Sequence, residues 1–109
     1  MLTPRGIRKL LEYLIAGTRG GLTRAKIIHA LMESPQNAHQ LSQLLSLDYT
    51  TVRHHLDVLV ENRLLVVQGE HYGQLFQVSP ELKADYSIFT EIWNRVQTSG
   101  PGQARSRRN

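Results

Sequence analysis

Residues 37–65 read NAHQLSQLLSLDYTTVRHHLDVLVENRLL, and this stretch decides the fold. Asn37 stands as a helix N-cap with Gln40 three places on, the spacing of a capping box. Leu41, Leu44 and Leu45 then form one apolar face, and Ser46-Leu47-Asp48 makes a three-residue turn. Asp48 caps a second helix, Tyr49 to Glu61, that turns Val52, Leu56, Leu59 and Val60 inward. Two short helices joined in this way form a helix-turn-helix pattern, although periodicity alone fits a plain helical hairpin equally well. The residues that follow separate the two. Leu64 to Gly69 and Gln74 to Val78 are β-prone runs around the loop Glu70-His71-Tyr72-Gly73. A helix-turn-helix followed at once by a β-hairpin is the order of a winged helix.

The flanks agree. Residues 4–16 carry Ile7, Leu10, Leu11, Leu14 and Ile15 at helical spacing, and Gly17 stops that helix. Thr23 is placed to cap a helix over 24–33 with Ile27, Ile28, Leu31 and Met32 inward, which Ser34-Pro35 ends. Ser79 and Pro80 open one last helix, whose Leu82, Tyr86, Phe89, Trp93 and Val96 are spaced four, three, four, three. The expected class is mainly α with a small β-hairpin: a winged helix-turn-helix of about five helices and a two-stranded wing. Residues 1–97 form one domain, with the helix-turn-helix at 37–62 and the wing at 64–78.

At 109 residues the chain is long enough for one core that folds without staples. It has no cysteine, which excludes a disulfide scaffold, a thiolate metal site and a cysteine nucleophile. Apolar runs are too short for a membrane span or a signal-peptide core. The net charge is +4, yet Arg105, Arg107 and Arg108 lie in residues 98–109, a polar, Gly- and Pro-containing stretch expected to be a disordered basic tail. The remaining body is nearly neutral and polarised. Arg19, Arg24, Lys26 and Arg53 outnumber Glu33 and Asp48, whereas the chain from Asp57 to Glu91 is acidic.

This local basic patch directs attention to the second helix of the pair. With Val52, Leu56 and Leu59 inward, Tyr49, Thr50, Thr51, Arg53 and His54 face outward along its N-terminal half. That half enters the major groove in helix-turn-helix proteins. Arginine can donate two hydrogen bonds to guanine O6 and N7, and threonine offers a hydroxyl and a methyl. Arg19, Arg24 and Lys26 suit phosphate neutralisation, and Asn37, His39 and Gln40 suit phosphate contacts at a helix start. His71 and Tyr72 at the wing tip could touch the backbone, although Glu70 beside them opposes it. No two of the five histidines stand four apart, so no metal ligand pair shares a helix face, and no cofactor is expected. No nucleophile–base or phosphate-loop pattern indicates an enzyme. Both terminal helices carry surplus apolar face, widened by Ile88 and Ile92. Leu10, Leu14, Tyr86, Phe89, Trp93 and Val96 are therefore expected at a homodimer interface.

GTRGGLTRAKIIHAL (residues 17–31), the quoted helix pair, and the hairpin down to SPEL together resemble the archaeal branch of ArsR-type winged-helix transcriptional regulators. The resemblance spans residues 17–82 and is most specific over DYTTVRHHLDVLVEN, residues 48–62. It implies a cytoplasmic homodimer that binds double-stranded operator DNA through the helix matching residues 49–62. Metal sensing is not carried over, because this chain has no cysteine and no histidine in its last helix. Ser46 and Arg63 stand where the family often has glycine, at about 1 kcal/mol each for a left-handed non-glycine residue, and Asn62 could take the second such position instead. No small-molecule ligand is identified. A winged-helix protein–protein module and a sequence-indifferent, chromatin-like DNA binder working through the tail are the alternatives.

Overall fold

The computed structural model describes residues 3–70 and 73–98. Helix α1 (Pro4–Leu11) starts where Thr3 accepts a hydrogen bond from the Gly6 amide at 3.0 Å, with Pro4 in the first turn. It continues as a π-helical segment, Glu12–Ala16. Next come α2 (Gly21–Glu33), α3 (Ala38–Leu45) and α4 (Tyr49–Glu61). Strands β1 (Leu65–Gln68) and β2 (Leu75–Val78) pair antiparallel, Leu65 opposite Val78 and Gln68 opposite Leu75. Helices α5 (Pro80–Ala84) and α6 (Tyr86–Thr98) close the chain. Six helices and a two-stranded hairpin are thus present, in the order expected of a winged helix-turn-helix. No helix among the described residues is long and apolar enough to cross a membrane.

Helix α2 is the hub, packing against the π segment, α3, α4, α6 and β2. Its Ala25, Ile27, Ile28 and Leu31 join Ile7, Leu11, Leu41, Val52, Leu56, Leu59, Phe76, Leu82, Phe89 and Ile92 in one buried cluster. The hairpin is tied to the helices by a bridge in which Gln36 and Phe76 exchange backbone hydrogen bonds of 3.2 and 2.8 Å.

Several local expectations are corrected. Helix α2 begins at Gly21 with Gly20 as cap, three residues before the start that Thr23 suggested, because paired glycines let the chain turn tightly against the π segment. A Cβ on Gly21 would lie 1.7 Å from the Ile15 carbonyl oxygen. Met32 is 38% exposed and Leu44 59% exposed rather than inward. In α3 the buried stripe runs Ala38–Leu41–Ser42, and Ser42 covers its hydroxyl on the His39 carbonyl at 2.8 Å. The final helix is two: the backbone leaves helical geometry at Asp85 (φ −120°), although the apolar spacing runs through the break. Of the two positions that lack glycine, Ser46 (φ 56°) and Arg63 (φ 63°) are both left-handed, whereas Asn62 is not (φ −94°). Each is followed by a bond that closes the helix end, Leu47 N–H to Ser42 O at 2.9 Å and Leu64 N–H to Leu59 O at 3.0 Å.

The apolar surplus of the terminal helices is partly spent within the chain. Leu14 and Phe89 are buried inside the subunit, 4% and 0% exposed, so neither can reach a partner. Helix α6 packs on α1 and its π segment. Arg8 grips Glu91 with two 3.0 Å hydrogen bonds and Arg95 meets Glu12 at 2.5 Å. The guanidinium bonded to it holds the Glu91 carboxyl below its usual range. These exposed pairs set which faces of the two helices meet more than they stabilise the fold.

Two glycine exchanges should have opposite effects in urea unfolding. Gly21→Ala forces a methyl into the Ile15 carbonyl and should cost about 3 kcal/mol or more. Ser46→Gly relieves a left-handed side chain and should gain up to about 1 kcal/mol. A Gly21→Ala midpoint equal to wild type would show that the α1–α2 approach is not a constraint.

Candidate nucleic-acid interface

The start of α3 is built by a complete capping box. The Asn37 side chain accepts from the Gln40 amide at 2.7 Å, and the Gln40 side chain accepts from the Asn37 amide at 2.8 Å. Each side chain bonds through its carbonyl oxygen, so each NH2 group still has hydrogens to donate. The start of α4 is capped by Asp48, which accepts from the Thr51 amide at 3.2 Å. The turn between them, with left-handed Ser46, brings both helix starts to one side of the molecule. There, Asn37, His39, Tyr49, Arg53, Gln74 and Phe76 line a cleft of about 430 Å³. Two helix N-termini bordering one cleft give it a positive field without a large net charge.

Arg53 is the centre of this cleft. It is half-buried, its guanidinium carbon lies 5.7 Å from the Phe76 ring centroid, and one nitrogen reaches Asp57 at 3.3 Å, one turn on. The ring and the carboxylate both restrain the guanidinium head. Tyr49, Thr50, Thr51 and His54 are exposed along the same helix. Neither Gln74 nor Phe76 was singled out from the sequence, because only the hairpin register carries them beside α4. Asp57 was missed as well, although its spacing of four from Arg53 was a readable signal.

Other candidates sit elsewhere. Arg19 and Lys26 are exposed but do not line this cleft. Arg24 is corrected outright: it is 9% exposed, and its guanidinium donates to the Leu14 carbonyl at 2.9 Å and the Thr18 hydroxyl at 2.7 Å. That carbonyl lies in the last turn of the helix and lacks a partner there; Arg24 supplies one, so its charge is not available to phosphate. His71, Tyr72 and residues 99–109 of the tail lie outside the described residues. The described part of the wing, residues 65–70 and 73–78, has no Lys or Arg and presents Gln68, Gln74 and Gln77. His55, beside exposed His54, is 7% exposed, and its ring lies against Gly20, where a Cβ would stand 2.6 Å from Cε1. Its Nδ1 has no hydrogen-bond partner. Burial, then the charge of Arg24, then His54, pushes its pKa below the ordinary 6.5.

Comparison with known proteins agrees with this geometry. Residues 22–66 match the family model described as bacterial regulatory protein, arsR family, a region that holds α3, α4 and the start of the wing. Among solved structures, the chain is similar to the homodimeric winged helix-turn-helix DNA-binding domain of a possible ArsR-family regulator from Mycobacterium bovis. That likeness has a TM-score of 0.57 at 15% identity and covers 72% of this chain and 71% of that one. It is also similar to Staphylococcus aureus MarR in complex with salicylate and kanamycin, with a TM-score of 0.59 at 18% identity, covering 94% and 75%. No curated protein sequence matches significantly. Residues 22–66 are thus similar to the arsR-family helix-turn-helix, and the architecture is that of a winged helix-turn-helix.

The buried imidazole predicts a pH dependence. Its folded pKa lies below its unfolded value, so the unfolded chain takes up the proton first. Stability should be full above the ordinary imidazole range and should fall as pH drops below about 6.5. Urea midpoints between about pH 8 and pH 5 should show this fall, and His55→Gln should flatten it. An undiminished slope in that variant would assign the effect to other groups.

Proposed function

We propose that this chain is a sequence-specific double-stranded-DNA-binding transcriptional regulator that acts as a homodimer. The observation that supports this most is the cleft where two helix N-termini, Arg53 and Tyr49 meet beside the hairpin. In this reading α4 enters the major groove. Arg53, released from Asp57, donates to guanine, while Tyr49, Thr50, Thr51 and His54 contact neighbouring base edges. The amide groups of Asn37 and Gln40, with His39, donate to phosphate at the start of α3, and Arg19 and Lys26 neutralise phosphates further along the duplex. His71 and Tyr72 contribute from the wing tip.

The M. bovis relative is described as homodimeric, which favours the same state here. Leu10, Tyr86, Trp93 and Val96, all half-buried, and Tyr13, 64% exposed, offer apolar surface on α1, its π segment and α6. A two-fold axis there would place two α4 helices about one DNA turn apart. A cytoplasmic regulator of the archaeal branch is the finer reading, and it rests on the DYTTVRHHLDVLVEN motif.

Selection from random duplexes at about 0.15 M salt, with and without residues 98–109, tests this reading. A defined, two-fold-related site that survives loss of the tail is expected. Binding that vanishes with the tail would instead assign a sequence-indifferent binder, and no salt-dependent duplex binding at all would assign a protein–protein module. Arg53→Ala should relax preference at one position per half-site and cost about 1–3 kcal/mol. An unchanged selected motif would remove Arg53 from base reading.

A further inference from the structure

A second cleft, of about 290 Å³, opens between the end of α2 and the middle of α6, and it shares no lining residue with the cleft beside α4. One wall is a run of four rings. His29 lies over Trp93 with centroids 5.7 Å apart and planes at 21°, Trp93 over Phe89 at 6.1 Å and 13°, and Phe89 meets Tyr86 at 5.0 Å. Glu33 and Asn94 stand at its rim, and no Lys or Arg lines it. Glu33 is exposed, is the last residue of α2, and makes no ion pair among the described residues.

The local fields add. A helix C-terminus carries partial negative charge, so the carboxylate there reinforces the field instead of cancelling it. The Tyr86 hydroxyl is buried and has no hydrogen-bond partner. Burial, then the Glu33 charge, pushes its pKa up to about 12, so it stays protonated with its oxygen lone pairs unused. An anion would be repelled by Glu33, and a neutral apolar ligand would leave both polar groups uncompensated.

We propose that this cleft binds a small organic cation, a primary or secondary ammonium carried on an aromatic or apolar group. The ammonium donates to the Glu33 carboxylate and the Tyr86 hydroxyl oxygen, and the apolar part lies against the ring wall. The inference does not rest on the DNA reading, because its test needs the protein alone.

Trp93 is the chain's single tryptophan, so its fluorescence reports the cleft directly. Titration at constant ionic strength with 2-phenylethylammonium should give saturable change with a Kd in roughly the millimolar range, as befits a ligand of that size. The neutral isostere 2-phenylethanol and the anion benzoate should give none. Glu33→Gln should weaken binding about fivefold, the scale of a half-exposed charge interaction. Tyr86→Phe should also weaken it, and since it removes only an unpartnered hydroxyl it leaves the fold intact. Three outcomes would overturn the proposal: an equal response to 2-phenylethanol, no saturation, or indifference to Glu33→Gln. A Trp93 signal that changes on dilution without any probe would overturn it too, since a second copy of the chain would then cover the cleft.

Discussion

The Leu14 carbonyl is the point on which the arrangement of helices turns. Leu14 lies in the last turn of the first helix, so its carbonyl has no amide of a following turn to accept from, and leaving it unsatisfied at that depth would cost about 1–3 kcal/mol. Arg24 and Thr18 satisfy it. Arg24 comes from the first turns of α2, so the bond clamps the end of the first helix to the start of the hub helix. Gly20 and Gly21 permit the clamp, one meeting the His55 ring and the other the Ile15 carbonyl. Through His55 the same junction touches α4. The residues that seat the N-terminal helix therefore also seat α4.

The candidate interface shows how a nearly neutral body can present a surface for a polyanion. Its positive character comes from geometry: two capped helix N-termini open into one cleft, and a single arginine is held there between a ring and a carboxylate. Asp57 keeps Arg53 from ranging over solvent, which would lower the entropy lost on engaging a ligand, but also sets a competitor beside it. The cleft between α2 and α6 has the opposite field by the same means, a helix C-terminus with a carboxylate. The two ends of helices are thus used in opposite senses at separate places.

Local chemistry made much of this legible. The capping box at Asn37 and Gln40, the cap at Asp48 and the Ser79–Pro80 helix start each depend on residues within four positions, and each is present. The left-handed positions at Ser46 and Arg63 are indicated by the family resemblance, and Asn62, the local candidate for the second, is not left-handed. What misled was long-range. Thr23 has the chemistry of a cap, but two glycines, packed against the His55 ring and the Ile15 carbonyl, start the helix earlier. The stripe from Leu82 to Val96 has one helix's spacing, but the chain breaks at Asp85. Arg24 looks like surface charge until the π turn three residues before Gly17 supplies a carbonyl for it.

From the sequence alone came the order of elements, most of their inward faces (Met32 and Leu44 excepted) and the outward set on α4, because caps and periodicity are encoded within a turn or two of chain. Only the tertiary structure decided which charges are available. Arg24 was withdrawn into the core, Arg53 was set between Phe76 and Asp57, and Glu33 was left beside four rings. Each of those outcomes depends on a partner more than three residues away, brought there by packing. Burial and proximity, not residue type, determine what a charged side chain can do.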